Sequence, residues 1–389
     1  MRNETRLVYN ALLSQIARLN GVAEVGKQFN VAPTIQQRLE SKMQESSDFL
    51  GKINMTPVVE AQGAKLGLGV SGPVASRTNT DNADRQTRDV STLDSKGYQC
   101  VQTNFDTHLK YQKLDAWAKF PDFQNRVRDS VLQRCALDRI MIGFNGTSTA
   151  ATTNRAANPL LQDVNIGWLQ KLRANAAARV MKQGAVANKV TYGTDPSADY
   201  KNLDALVYDA YKSLLDPWFA EDPLLVAIVG RDLMHDKLYP LVADNDAPTE
   251  RLAADIVISQ RRLGGLTAMV APHFPAGKVL VTRLDNLSIY YQDGKRRRAV
   301  VDKPERDRIE FFGFGAGKEL LIEGLHLGPV VDAKVVEHVF QVVQYVHVRW
   351  LAQAGGRVER VKRRLDVIHG VVEVEHECIS FQRMATVQA

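Results

Sequence analysis

The chain has 389 residues, 44% of them apolar and 24% charged, with a net charge of +6 and a sequence pI near 9.1. That is the balance of a globular protein with room for two or three compact units, and its charge permits contact with nucleic acid without arguing for a dedicated binder, which would concentrate it. Cys100, Cys135 and Cys378 are odd in number and far apart, which excludes a disulfide framework or a zinc spacing and points to a reducing, intracellular site of synthesis; no apolar run comes near the ~20 residues of a membrane span.

MRNETRLVYNALLSQIARL lacks the uninterrupted apolar core and small-residue cleavage pattern of a signal peptide. Asn3 to Leu19 instead predicts an amphipathic helix with Val8, Leu12, Ile16 and Leu19 on one face, stopped by Asn20-Gly21. Val22 to Pro33 reads as a flexible link. A second helix follows Pro33, with Thr34 and Gln37 spaced as a capping box and an apolar face of Ile35, Leu39, Met43 and Leu50. A helix on a loose link suits a packing arm or a removable segment better than a membrane-surface role, for which Lys and Arg are too few. From Ile53 to Lys113, turn formers and short alternating runs predict two strands, Val58 to Val70 and Tyr98 to Lys113, around a polar tip. Such a tip cannot bury a core, so the element is a projecting hairpin.

After Trp117 and Phe120, read as anchors, comes the strongest helix signal of the chain, PDFQNRVRDSVLQRCALDRIMIGFNG, Pro121 to Gly146. Proline and an acid suit a first turn. Phe123, Val127, Val131 and Cys135 form one apolar stripe, with Leu132, Ala136, Ile140 and Phe144 beside it. Arg126, Arg128, Arg134 and Arg139 fall among the polar positions, and Gly143 with Asn145-Gly146 reads as the stop. A rod of about 30 Å results. Further on come a helix in Gly167 to Ala177, a polar insertion near Lys182 to Tyr200 and a helix from Leu203 to Leu215. A buried strand over Leu224 to Gly230, a helix in DLMHDKLYPLV and several short strands complete a mixed α/β lobe with a small central sheet. Phe311 to Ala389 is rich in Val, His, Arg and Gly; its one periodic piece predicts a helix near Asp332 to Trp350, and five histidines fall here: His326, His338, His347, His369 and His376.

Gly67, Gly69 and Gly72 match G-x-G-x-x-G, but PVASRTNTDN comes next where a dinucleotide site needs a helix, so the match is a flexible hairpin. His376, Glu377 and Cys378 lack the second close pair of a zinc site. Cys135 lies on the apolar stripe of the long helix, where a packing thiol is expected. His273 sits in a proline-flanked turn, and Glu221-Asp222 suits loop solvation. The basic run Lys295 to Arg298 comes after Asp293-Gly294, a hairpin signal, and is either a solvated tip or a contact for phosphate or an acidic neighbour. No catalytic, cofactor or metal constellation emerges. Reaching extensions without a site favour a structural or interaction subunit; the alternative is an intracellular α/β enzyme with an unrecognised site in the lobe 224–284.

MRNETR at the N-terminus, MQESSDFLGKIN from Met43 to Asn54, YQKLDAWAKFPDFQ from Tyr111 to Gln124 and NPLLQDVNIGWLQKLR from Asn158 to Arg173 carry a resemblance. So do DPWFAEDPLLVAIVGRDL, LAADIVISQRRLGGL and LDNLSIYYQDGKRRR. Over residues 1 to about 310 the chain resembles the major capsid proteins of P2-like temperate tailed phages (peduoviruses). The resemblance implies an α+β, Hong Kong 97-like capsid fold: an N-terminal arm with a removable segment over 1–52, an extended hairpin arm over 53–113, a peripheral domain with the spine helix over 114–214, an axial domain over 215–302, and a C-terminal region over 303–389. It implies an icosahedral shell of pentamers and hexamers in the virion, made in the bacterial cytoplasm. The implied partners are a scaffolding protein that doubles as maturation protease, a portal protein and packaged double-stranded DNA contacted without sequence readout; no cofactor and no membrane are involved. The removable segment would end in the link around Gly26 to Pro33, at Phe29-Asn30. On the spine helix, Arg126, Arg134 and Arg139 become candidate subunit contacts. The resemblance fades after Ile309-Glu310. Residues 311–389 carry the compositional bias of an out-of-frame reading from near codon 311, which would leave the peripheral domain without its last strands.

Overall fold

The computed structural model describes residues 1–67, 75–87, 92–120, 122–187, 189–243, 261–313, 317–323, 330–335, 367–368 and 371–372. The chain divides into Met1–Val336 and Glu337–Ala389. In the second unit the described residues form one small antiparallel pair, Val367–Ile368 with Val371–Val372.

Eight α-helices are described in the first unit: α1 (Asn3–Asn20), α2 (Pro33–Glu45), α3 (Tyr111–Trp117), α4 (Phe123–Asn145), α5 (Trp168–Asn175), α6 (Leu203–Leu214), α7 (Pro217–Ala220) and α8 (Arg231–Ala243). Helix α1 ends on Gly21 at φ 64°, a left-handed turn that glycine adopts without a Cβ clash. Helix α2 begins differently from the expected capping box. Its cap is Ala32, with no side-chain bond, and Pro33 opens the first turn. Its buried residues are Gln36, Glu40 and Met43, not Ile35 and Leu39.

Helix α4 is the spine that periodicity predicts. It buries Phe123, Leu132, Cys135, Ala136 and the run Arg139 to Phe144. Around it lies the larger core, with Phe49, Leu50, Ile140, Phe144, Trp168, Leu169 and Ile289. Two four-stranded sheets feed that core. The first runs Phe29–Asn30, Arg297–Lys303, Arg308–Phe312, Thr107–Lys110, all antiparallel. The second runs Asn54–Val58, Leu287–Gln292, Gly317–Glu323, Val101–Thr103, its first pair parallel. Leu287–Gln292 and Arg297–Lys303 thus belong to different sheets. Asp293-Gly294, with Gly294 at φ 66°, is a turn between sheets and not the hairpin its sequence signals.

A separate core gathers Leu206, Val207, Ala227, Val229, Leu233, Val279 and Val281. Its sheet runs Arg262–Leu263, Leu266–Met269, Val226–Val229, Lys278–Thr282, Val330–Val335, Val180–Met181, with Val190–Tyr192 also paired to Val330–Val335. The polar stretch 182–200 is therefore more than an insertion. Val190–Tyr192 is buried, and the Asp199 carboxylate accepts from Ala185 N, Thr191 N and Thr191 Oγ1, which holds its pKa down.

The projecting hairpin is present as Gln62–Gly67 paired with Thr92–Gln99, with a register shift at Ala64/Lys65. Its strands are shorter than expected: Val101–Thr103 and Thr107–Lys110 leave for the two sheets, and Tyr111 starts α3. Gly69, Gly72, Pro121, all of LAADIVISQ and the tail candidates His326, His338, His347, His369, His376, Glu377 and Cys378 lie outside the described residues. Where a helix was expected from Asp332, residues 332–335 belong to a strand.

Candidate assembly and processing surfaces

The Val22–Pro33 link is not loose. Phe29 and Asn30 pair with Arg298 and Arg297 on the open edge of Arg297–Lys303, Val31 N–H donates to Arg296 O at 2.9 Å, and Val300 N–H donates to Val25 O at 2.9 Å. Val25, Phe29 and Val31 are buried against Leu13, Ile16, Ala17, Val22 and Ile35. Nearly every contact in this small cluster comes from the first 35 residues. Sequence reasoning missed the strap because its partner strand lies far along the chain; the every-other-residue spacing of Phe29 and Val31 was the available signal. Helix α1 is held to the rest by polar contacts as well. The Arg6 guanidinium and the Tyr111 hydroxyl both donate to Asp302, and burial together with that carboxylate pushes Tyr111 up to about 12.

Beyond Pro33 the attachment changes in kind. Glu40 of α2 accepts from Arg139 Nη1 at 2.6 Å and Nη2 at 3.1 Å, and from Arg296 Nη2. Side-chain exposure is 1% for each arginine and 5% for Glu40. Burial alone would raise the Glu40 pKa; the two guanidinium groups outweigh it and hold the carboxyl at about 2. One buried ion triad therefore ties α2, the spine and the strand after Gly294 together. It corrects the expectation for Arg139, which is no surface contact. It also corrects a fully solvated Lys295–Arg298 run: Lys295 and Arg297 point out, while Arg296 and Arg298 point in, as strand alternation requires. Burial and Arg296 pull Arg298 down to about 10.

Arg126 and Arg134 do lie on the outside of α4, with side chains 65% and 57% exposed and paired to Asp122 and Asp138 at 2.5 Å. They line a groove of about 1250 Å³ floored by Phe123, Val127 and Val131. Trp117 and Phe120 do not act as core anchors. They are 48% and 49% exposed, stacked edge to face at 6.4 Å, and Trp117 lines the same groove. The groove combines this apolar floor with Lys113, Arg126, Arg134 and Arg155 and the acidic Asp106 and Asp138 on its walls. Cys135, at the groove's inner side, is buried as a packing thiol. Asp222 pairs with Arg283 at 2.8 Å, and His273 sits at φ 56° with its carbonyl accepting from Asn145, both structural placements. Among the described residues no cluster of three His, Cys, Asp or Glu could hold a metal, and no helix is long and apolar enough to cross a membrane.

Residues 8–332 match the family model for the phage major capsid protein, P2 family. The chain belongs to the P2 family of phage major capsid proteins. This P2-family capsid protein is 48% identical over 318 residues to the "Capsid proteins" of Escherichia phage P2, covering 80% of this chain and 89% of that one. It is 40% identical over 320 residues to the major capsid protein of Serratia phage KSP20, covering 79% and 90%. Among solved structures it is similar to a chain of the satellite phage P4 procapsid including size determination (Sid) protein, at TM-score 0.71 and 44% identity, covering 87% of this chain and 99% of that one. The fold is the α+β, Hong Kong 97-like capsid fold. Structural capsid relatives point away from the enzyme alternative for the lobe 224–284. The family match also runs past Glu310 to Asp332. Strands placed after the expected break are present: Gly317–Glu323 lies between Leu287–Gln292 and Val101–Thr103, and Val330–Val335 joins the lobe's sheet. The resemblance therefore ends later than the residues alone suggest.

Proposed function

We propose that this capsid protein builds its shell from pentamers and hexamers with a scaffolding protein that is also the maturation protease, and that maturation removes the segment ending near Phe29-Asn30. The shell would join a portal protein and enclose double-stranded DNA, after synthesis in the bacterial cytoplasm. In this reading residues 1–52 form the N-terminal arm, 53–113 an arm laid over a neighbour, 114–214 the peripheral domain with the spine helix, 215–302 the axial domain and 303–389 the C-terminal region. The observation that carries it is the contrast in attachment along the N-terminus. The strap around Val25, Phe29 and Val31 forms a small cluster of its own on a sheet edge, and α1 reaches the larger core through Tyr9 and the partly buried Met1, Leu13 and Ile16 and through the Arg6–Asp302–Tyr111 contact, whereas α2 is locked in by the fully buried Glu40 triad. A chain cut between the two would lose the first part and keep the second.

Co-expression with the scaffold, followed by negative-stain microscopy and mass spectrometry of purified particles, tests this. Closed shells whose subunits begin near Asn30 are expected; a stable monomer or dimer, or mature shells keeping residues 1–29, defeats it. The groove on α4 provides a second check. Arg126→Glu with Arg134→Glu removes two exposed cations whose surface pairs contribute only ~0.2–1 kcal/mol each. The double variant should keep wild-type helix content by circular dichroism and fail to form shells. Normal shells would remove the groove from the subunit interface.

A further inference from the structure

The strap between α1 and α2 presents its backbone in a way that bears on processing. Val25, Phe29, Asn30 and Val31 spend their main-chain groups on the strand edge 296–300. Alternation turns Phe29 and Val31 inward, 8% and 0% exposed, and turns Asn30 outward, where Nδ2 donates to Gly294 O at 2.8 Å. A protease takes its substrate as an added strand, reading the main-chain groups on both sides of the bond and seating the flanking side chain in a pocket. At Phe29-Asn30 those groups are in a ladder, and the Phe29 side chain sits with Val25 and Val31. One strand cannot pair with Arg297–Lys303 and with a protease together.

Resting on the maturation reading above, we infer that Phe29-Asn30 is a latent processing site, withheld by the edge of Arg297–Lys303 and open to hydrolysis only when residues 25–31 peel away. The chemistry is ordinary amide hydrolysis: the protease adds water across the C–N bond, leaving a carboxylate on Phe29 and an ammonium on Asn30. The gate is local. Peeling undoes a short ladder and a cluster drawn from the first 35 residues, while Glu40 keeps α2 in place. Cutting then tracks the population of the opened strap, since local opening is fast compared with cleavage. Anything that pulls the strap from its edge, such as a subunit contact formed during assembly, turns the site on.

Chymotrypsin, which cuts after phenylalanine, tests the gate without the phage protease. In the full-length, unassembled protein, release of residues 1–29, read by mass spectrometry, should be at least ~100-fold slower than cleavage of a free peptide spanning residues 22–36. Val25→Ala should speed release about tenfold in the protein and leave the peptide's rate unchanged. Asn30 and Arg297 face each other on the outer side of the ladder. Asn30→Cys with Arg297→Cys, oxidised, should suppress release further, and reductant should restore it. Cleavage at the peptide's rate, or a cross-link without effect, overturns the gate. Mature shells that keep residues 1–29 would defeat the maturation reading and leave this measurement standing, so the two failures are separable.

Discussion

Glu40→Ala is expected to destabilise the protein by about 3–5 kcal/mol, the usual cost of leaving buried charges without their partner. Arg139 and Arg296, each 1% exposed, would keep their charge and lose the carboxylate between them. Glu40→Gln separates charge from shape: it keeps an acceptor of similar size, so a loss close to that of the alanine variant identifies charge as the cause, while near-wild-type stability would assign Glu40 to packing. Replacing all three residues by apolar side chains of similar volume should recover most of the loss, because an ion triad taken out whole no longer leaves a bare charge behind. Urea midpoints of the purified subunit measure all of these. Acid gives a further signature. The folded-state pKa of Glu40, about 2, is depressed below the roughly 4.3 of a free glutamate. A depressed carboxylate contributes stability that is complete above its unfolded pKa and is lost as pH falls through the folded one. The wild type should therefore lose roughly 3 kcal/mol between about pH 4.5 and pH 2. Glu40→Gln should lack that component; an identical acid profile in both would show that Glu40 is not the group responsible.

This triad is also where sequence reasoning fell short, and the reason is physical. A charged residue on a helix is normally solvated, so Arg139 on α4 read as part of an outer face, and nothing in the sequence singled out Glu40 on α2. Their pairing joins positions 99 and 256 residues apart in the chain, and no local period encodes that. The spine helix was legible because its apolar stripes repeat every three to four residues, and Leu132, Cys135, Ala136 and Ile140 are indeed buried. Arg126 and Arg134 were placed on the outside correctly for the same reason. The strap was legible in part. Its apolar residues are visible, but Phe29 finds its strand partner in the distant Arg298, and a two-residue strand carries too little pattern to announce itself. The Asp293-Gly294 signal gave the turn and misjudged what it connects, because turn chemistry fixes backbone angles and not which sheet each flanking strand will join.

Trp168→Ala is expected to cost about 3–5 kcal/mol, as full loss of a buried aromatic does. Trp168 is 0% exposed at the start of α5, edge to face with Phe144 at 5.0 Å and Phe49 at 6.3 Å, and its Nε1 donates to Ser288 O at 3.3 Å. It joins the spine, α5 and the second sheet in one contact. The spine makes room for it at Gly143, which sits inside α4 and not at its end, since the helix runs on to Asn145. A Cβ on Gly143 would overlap the indole ring, reaching Cη2 at 2.7 Å. Two effects of Gly143→Ala therefore oppose each other. Helix propensity favours alanine by about 0.8–1 kcal/mol. Overpacking a rigid indole costs about 1–3 kcal/mol. Overpacking should win, because Trp168 is fully buried among aromatic and sheet neighbours and has no free rotamer to escape into. The double variant should lose less than the sum of the two single losses, since the added methyl then occupies part of the vacated ring volume. Urea denaturation of the four proteins in this cycle gives the coupling directly. A Gly143→Ala variant more stable than wild type would mean that the glycine is tolerated in α4 and not required by the indole.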